Sequence, residues 1–278
     1  MKLTVSRRAL FISTAVLSLA VTVSGLPAIA LAADGTIKLG LVAPMSGPNA
    51  RYGAFSMHGA ELAVKDINDA GGIDGMKIEL LNADSQGTPV EGVSAARRLI
   101  DQDGVDFIIG DVSSSVTLAI QPVAEDAEVL LLNAASSNPK ITYQAGVGGF
   151  KWTYRNYPTD ENRALIVAKY AAEQRGFTKF AVLSVDSDYG RSAITFTKKY
   201  LPDFKGEILS EDYYKEGEVD FRSVLAKIRD NGAQAIIMYG LADTTPIIAR
   251  QMIELGIAGK VALIGNGEFN TEKTIKSA

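Results

Sequence analysis

The 278-residue chain contains no cysteine and a single histidine, His58. The first absence excludes a disulfide scaffold, a thiolate metal site and a thiol nucleophile. The second excludes multi-histidine metal centres and leaves one residue for any serine–histidine–carboxylate arrangement. His58 lies inside a helical pattern, where a partly exposed helix residue is expected rather than a base. Positive charge is also short. Lys and Arg total 28 against 32 Asp and Glu, a net charge of −4, so no basic field is available to replace the counterions of a nucleic acid. Several signatures are missing as well. No Gly-x-Gly-x-x-Gly follows a strand pattern, no phosphate-cradling loop of Walker type occurs, and no Gly-x-Ser-x-Gly elbow presents a nucleophile. Asp101-Gln102-Asp103-Gly104 lacks the remaining ligands of a calcium loop. The carboxylates show no spacing that reports acid/base pairing, and no motif asks for a bound cofactor.

What is present begins with an address. Lys2, Arg7 and Arg8 precede an uncharged apolar stretch over residues 9–23; Gly25 and Pro27 break it, and Ala30-Leu31-Ala32 supplies small residues at a cleavage site. Residues 1–32 therefore read as a secretory signal cleaved after Ala32, with a membrane anchor as the alternative. Ser6-Arg7-Arg8 also weakly matches a twin-arginine signal. The expected product is an acidic exported protein in the periplasm.

Beyond the signal, short β-rich runs alternate with helical patterns. The runs fall at 37–43, 77–83, 105–110, 129–133, 180–185, 207–213, 235–239 and 261–265, and most are nearly continuous hydrophobics, as in strands covered on both faces. Ala60, Ala63, Val64 and Ile67 share one helical face, as do Phe221, Val224, Leu225 and Ile228. Thr88-Pro89-Val90-Glu91 is a capping box with proline at the first helical position; Thr245-Pro246 marks a similar start, with Gly256 as its stop. This alternation predicts an α/β protein with parallel sheets and right-handed crossovers. The pattern pauses at Asn138-Pro139 and the glycines at 146, 148 and 149, and residues 150–155 form an extra strand-like run with no helix before it. The reading is an N-terminal lobe over residues 36–149, a hinge crossover over 150–157 and a second lobe over 158–278, both doubly wound. One large sheet is the alternative.

Ligands of open α/β sheets bind beyond the carboxyl ends of the strands. Three such ends carry small hydroxyl residues: Ser113, Ser114 and Ser115 after the third run; Ala135, Ser136 and Ser137 after the fourth; and Ser46 after the first, with Tyr52 and Gly53 close behind. Each cluster alone reads as an ordinary loop with a serine cap. Together they read equally well as one crevice whose hydroxyls and helix-start N–H groups receive a carboxylate.

The same residues resemble the substrate-binding proteins of ABC importers for branched-chain amino acids and related amides. The carriers are the segment from Gly40 to Pro48, Tyr52-Gly53, Gly59 to Ala63, Ile67-Asn68-Asp69-Ala70-Gly71-Gly72-Ile73-Asp74-Gly75, Asp84, Ile109-Gly110, the serine run, Ser137-Asn138-Pro139, Asp188-Tyr189-Gly190 and Asp220-Phe221, in order over about residues 36–270. The resemblance implies two doubly wound lobes that close on a ligand by hinge motion, the type I periplasmic binding fold, with the second lobe and hinge incomplete here. It implies an importer subunit that hands an amino acid or related carboxylate or amide to a membrane permease and its ATPase, without catalysis. Residue by residue, it implies that Ser114 donates to the ligand carboxylate, that Ser137, Ser136 and Ala135 hold carboxylate and ammonium, that Tyr52 walls the side-chain pocket and that Tyr189 closes over the ligand. Two departures stand out. Where the family often has an acid for the ligand ammonium, the aligned position is Gly267, with Glu268 next to it; where it often has an aromatic, the position is Ala242, beside Asp243. Glu268 or Asp243 is expected to supply the anion, or the ligand lacks an amine. Family members also run further than Ala278, which implies a truncated product. A periplasmic sensor of the same fold and an exported α/β enzyme are the competing functions; the enzyme would need a nucleophile or acid/base pair that the sequence does not display.

Overall fold

The computed structural model describes residues 35–143, 149–241, 243–265 and 267. The expected signal segment, the glycines at 146 and 148, Ala242 and Glu268 lie outside the described residues.

Two parallel sheets organise the chain. The first contains β1 (Thr36–Ala43), β2 (Lys77–Asp84), β3 (Phe107–Gly110), β4 (Leu130–Asn133) and β5 (Thr153–Arg155), in the spatial order β2-β1-β3-β4-β5. The second contains β6 (Lys179–Val185), β7 (Glu207–Tyr214), β8 (Ala235–Tyr239) and β9 (Ala262–Gly265), in the order β7-β6-β8-β9. All ladders are parallel. Every residue of β8 is buried, and every residue of β6 except its first, which is why these runs are nearly continuous hydrophobics, with Ser184 in β6 donating to the Tyr239 carbonyl. The strand order reverses between β1 and β3 and again between β6 and β8, and crevices open at such switch points.

The helices start and stop where side chains dictate. In α2 (Pro89–Arg98) the Thr88 hydroxyl accepts from the Glu91 N–H and proline takes the first position. Thr159 caps α5 (Asp160–Lys169) and Ser187 caps α6 (Asp188–Tyr200) by the same bond. α7 (Arg222–Asn231) ends on Gly232 at φ 83°, a left-handed conformation that glycine adopts without a Cβ penalty. α1 (Ala50–Asp69), α3 (Ser114–Asp126), the short α4 (Lys140–Tyr143) and α8 (Thr245–Glu254) complete the order. α8 begins at the Thr-Pro pair and is followed by Gly256 in the left-handed region, as the sequence indicates.

The second sheet is cored on both faces. One cluster holds Leu183, Phe221, Leu225, Ile228, Met238 and Ile248; the other holds Phe180, Val182, Ile194, Leu201, Ile237 and Tyr239. The predicted face of α7 thus packs as expected. That of α1 does not. The first-lobe core is built by α2 and α3 against Val42, Ala83, Ile108 and Leu131, while α1 buries only Gly53 and leaves Phe55 54% and Leu62 61% exposed. His58 is exposed on this helix. The run at 150–155 also differs from its expected role as a crossover without a partner. Its Thr153–Arg155 core pairs with β4 as the fifth strand of the first sheet, Trp152 C=O accepts from Leu131 N–H at 2.7 Å, and Asn156 N–H donates to Asn133 C=O at 3.2 Å. The edge of β4 carries backbone groups that need partners, and this segment supplies them. The chain then reaches the second lobe through Tyr157 and Pro158, where Asp160 N–H donates back to Ser137 C=O at 2.8 Å.

Two glycines of α1 test this packing against intrinsic helix preference. A Cβ on Gly53 would stand 1.8 Å from the Pro44 carbonyl oxygen, whereas one on Gly59 would meet nothing within 4 Å. Gly53→Ala is expected to lower stability by about 1–3 kcal/mol, as overpacking does. Gly59→Ala should raise it by up to about 1 kcal/mol. Urea midpoints of the two variants check the opposite signs.

Candidate functional site

The carboxyl ends of β1, β3 and β4 face those of β6 and β8 across a cleft of about 230 Å³. Of the residues singled out in the sequence, Tyr52, Ser114, Ala135, Ser137 and Tyr189 line it. Its volume lies below the roughly 300–1,000 Å³ of drug-sized pockets, so it suits a small ligand.

The first-lobe wall hangs from a buried carboxylate. Asp111, 1% exposed, follows β3. Its Oδ1 accepts from Ser113 N–H at 2.7 Å, and its Oδ2 from the Ser85 hydroxyl at 2.6 Å. Burial pushes its carboxyl up to about 6, against the pull of the Ser113 N–H and Ser85 hydroxyl. This anchor fixes the start of α3, where Ser113 stands at the N-cap without its hydroxyl bonding the helix. Ser187, at the same position of α6, spends its hydroxyl on Gly190 N–H. Both helix starts border the cleft and favour negative charge there. Ser114 Oγ accepts from Asn138 N–H at 3.2 Å, which directs its own proton elsewhere, so a donor role suits it.

The second loop is tied by Asn133, whose Oδ1 accepts from Ala135 and Ser136 N–H and whose Nδ2 donates to Ser136 C=O. Here one expectation changes. Ser136 does not line the cleft: its hydroxyl donates to Asp111 C=O at 2.7 Å and lies 2.7 Å from Thr117 Oγ1, and its carbonyl also accepts from Arg155 Nη1 at 2.6 Å. Its polar groups are spent on holding the loop, while Ala135 and Ser137 on either side reach the cleft. Glu268 lies outside the described residues. Asp243 pairs with Arg51 at 3.1 Å.

The second-lobe wall contains residues that the sequence reading passed over. Tyr189 meets Tyr239 edge-on at 6.5 Å between ring centres, and the Tyr239 hydroxyl lies 2.6 Å from Thr197 Oγ1. Arg163, on the first turns of α5, places its guanidinium carbon 5.6 Å from the Tyr157 ring centre and 5.8 Å from that of Tyr189. Arg163 and Tyr157 both line the cleft. Behind them Asp160 is 1% exposed. Burial pushes its carboxyl up to about 6, opposed by the Ser137 and Ser192 hydroxyls and by the charges of Arg163 and Arg155. Glu216 also lines the cleft and accepts from Asn49 Nδ2 across it at 3.0 Å; burial pushes its carboxyl upward, and the bond from Asn49 opposes this. One signal for Arg163 was available: a cation near a helix N-terminus opposes the macrodipole. Asn49 and Glu216 carry no such signal.

The two walls are joined. Asp188 N–H donates to Ser115 Oγ at 3.2 Å, and Asn138 Nδ2 donates to Asp188 C=O at 2.9 Å. With Asn49–Glu216 and Arg51–Asp243, these bonds hold the lobes in a closed arrangement.

Comparison with known proteins is consistent with this geometry. A family model described as periplasmic binding protein matches residues 36–278. The Leu/Ile/Val-binding protein homolog 1 of Brucella suis is 31% identical over 236 residues, 85% of this chain and 62% of that protein. The chain therefore spans less than two thirds of the length of that relative. Among solved structures, the branched-chain amino acid transporter substrate-binding protein of Streptococcus pneumoniae in complex with isoleucine is 28% identical, with a TM-score of 0.79 over 87% of this chain and 67% of that one. An ABC transporter solute-binding protein of Rhodopseudomonas palustris in complex with 3,4-dihydroxybenzoic acid is 27% identical, with a TM-score of 0.75 over 83% of this chain and 61% of that one.

The Asp160 carboxyl gives a pH test of the hinge side of the site. Its ionisation is disfavoured by folding, so the stability it contributes is complete below about pH 4 and lost as pH rises through about 6. Asp160→Asn stays neutral throughout. The urea midpoint of the variant relative to the parent should climb between about pH 4 and 6 and then level; a difference that stays flat over this range contradicts the assignment.

Proposed function

This chain belongs to the periplasmic binding protein family, and from that premise we propose that it is the extracytoplasmic solute-binding subunit of an ABC importer. It captures a small carboxylate or amide, an amino acid or an aromatic acid, between its two lobes and presents the closed form to a membrane permease and its ATPase. Residues 1–32 direct export and are removed after Ala32. The observation that carries this reading is the meeting of Ser113, Ser114 and Ser137 with the start of α3 and three tyrosines in one cleft between two sheets. A carboxylate leaving water must be repaid by hydrogen bonds, and these donors are fixed before it arrives. Ser114 donates to the carboxylate, Ala135 and Ser137 contribute carbonyl and hydroxyl, Tyr52 walls one side, Tyr189 covers the other, and Glu268 pairs an ammonium where the ligand has one. The isoleucine and dihydroxybenzoate held by the two solved relatives share a carboxylate.

A thermal-shift screen over branched-chain amino acids, hydroxybenzoates, amides and urea tests the reading. A true ligand at a hundredfold excess over Kd adds about 2.7 kcal/mol to stability. No shift with any of them contradicts a binding role for this chain. For the ligand that responds, Ser114→Ala should weaken binding by about 1.5–3 kcal/mol, the range for hydrogen bonds to charged groups. Titration calorimetry reads this, and an unchanged Kd removes Ser114 from the site.

A further inference from the structure

We propose that Asp160 is a proton-operated clasp at the hinge: closure on a ligand encloses it between the two lobes and loads it with a proton, so capture takes up a proton and is tighter in acid. This rests on the binding role proposed above and adds a regulation to it.

Placement carries the argument. Asp160 opens α5, directly after the chain passes from β5 into the second lobe, and it is 1% exposed. Groups of both lobes enclose it. From the first come Ser137, whose carbonyl accepts from Asp160 N–H at 2.8 Å, and Arg155 at the end of β5. From the second come Ser192 on α6, Arg163 one turn along α5, and Tyr239 at the end of β8. Burial keeps Tyr239 neutral, and its hydroxyl lies 2.6 Å from Thr197 Oγ1. The adjacent acid, Glu161, is turned to Tyr143, Lys199 and Tyr200 instead. The Ser137 and Ser192 hydroxyls and the two guanidinia favour the anion, yet neither carboxyl oxygen of Asp160 accepts a well-aligned hydrogen bond among the described residues. An anion enclosed in this way has lost its water without full replacement. That loss outweighs the neighbouring charges, and the carboxyl is pushed up to about 6.

The enclosure depends on closure. Ser137 and Ser192 meet Asp160 from opposite lobes, near the bonds by which Asn138 and Ser115 hold Asp188. Separating the lobes admits water, and a hydrated aspartate returns to about 4. Asp111 is equally buried, but first-lobe groups alone hold it, Ser85 and Ser113, so closure leaves its proton where it is. The closed form is therefore favoured fully below about pH 4, and the advantage is lost as pH rises through about 6. Ligand and proton both favour the closed form, so each strengthens the binding of the other. Ser137 itself lines the cleft, which puts the clasp directly behind a ligand-facing wall.

The test is calorimetric titration of the purified chain with L-isoleucine and with 4-hydroxybenzoate at about pH 5 and about pH 7.5, each in two buffers of different ionisation heat, which counts the protons taken up. The parent should take up close to one proton per ligand at the lower pH and almost none at the higher, where it should bind about tenfold more weakly. Asp160→Asn should lower the proton count in acid by close to one and remove about tenfold from the affinity ratio. Comparing parent with variant cancels titration of the probe and of Glu216, which also meets the first lobe through Asn49. A parent that binds a probe equally at both pH values with no proton taken up, or an Asp160→Asn variant that keeps the whole effect, overturns the clasp and leaves the binding role standing. Should the variant not fold, the proton count of the parent decides. Binding of neither probe contradicts the binding role. The radius of gyration of the ligand-free chain then tests the clasp by itself: it should rise over the same pH interval, and a constant value overturns the inference.

Discussion

A carboxylate taken out of water loses several kcal/mol of hydration unless fixed donors replace it, and under the binding role proposed for this chain that cost governs the cleft. The donors here are neutral hydroxyls and backbone amides at strand tips, groups that would turn to solvent or to each other if nothing held them. Asp111 and Asn133 hold them. Each is buried at the end of a central strand and binds the N–H groups of the residues that follow. The loops after β3 and β4 are also fastened to each other, Ser136 Oγ to Asp111 C=O and Asn138 N–H to Ser114 Oγ. Polar side chains that look like ligand contacts in the sequence divide into two kinds, those that meet the cleft and those that aim them.

Closure follows the same economy. At the start of α6, Asp188 is held by Ser115 and Asn138 from the first lobe. These are neutral bonds at the cleft rim, each worth about 1 kcal/mol net. The ion pair across the cleft, Arg51–Asp243, is similarly modest.

Much of this was legible in the chain. The nine strands among the described residues fall within three residues of their predicted positions, because strands buried on both faces leave long hydrophobic runs and capping residues mark helix starts. The serine-bearing loops after β3 and β4 do border one cleft beyond the strand ends, whereas Ser46 after β1, expected in the same crevice, does not line it and donates its hydroxyl to Asp84 at 2.7 Å. What escaped depends on partners distant in sequence. The pairing of β5 with β4, the exposure of α1 and the inward turn of Ser136 are set by tertiary neighbours that no local pattern reports. Asn49 and Glu216 are 167 positions apart, and nothing local to either predicts that they meet.

The most direct measurement is a crystal structure of this chain grown with a carboxylate that raises its melting temperature. The account predicts the carboxylate between the Ser114 hydroxyl and the first-turn amides of α3, with Tyr189 covering the remainder of the molecule and the Ser115–Asp188 bond intact. Density for the ligand anywhere outside the cleft, or a carboxylate turned away from Ser114, would contradict it.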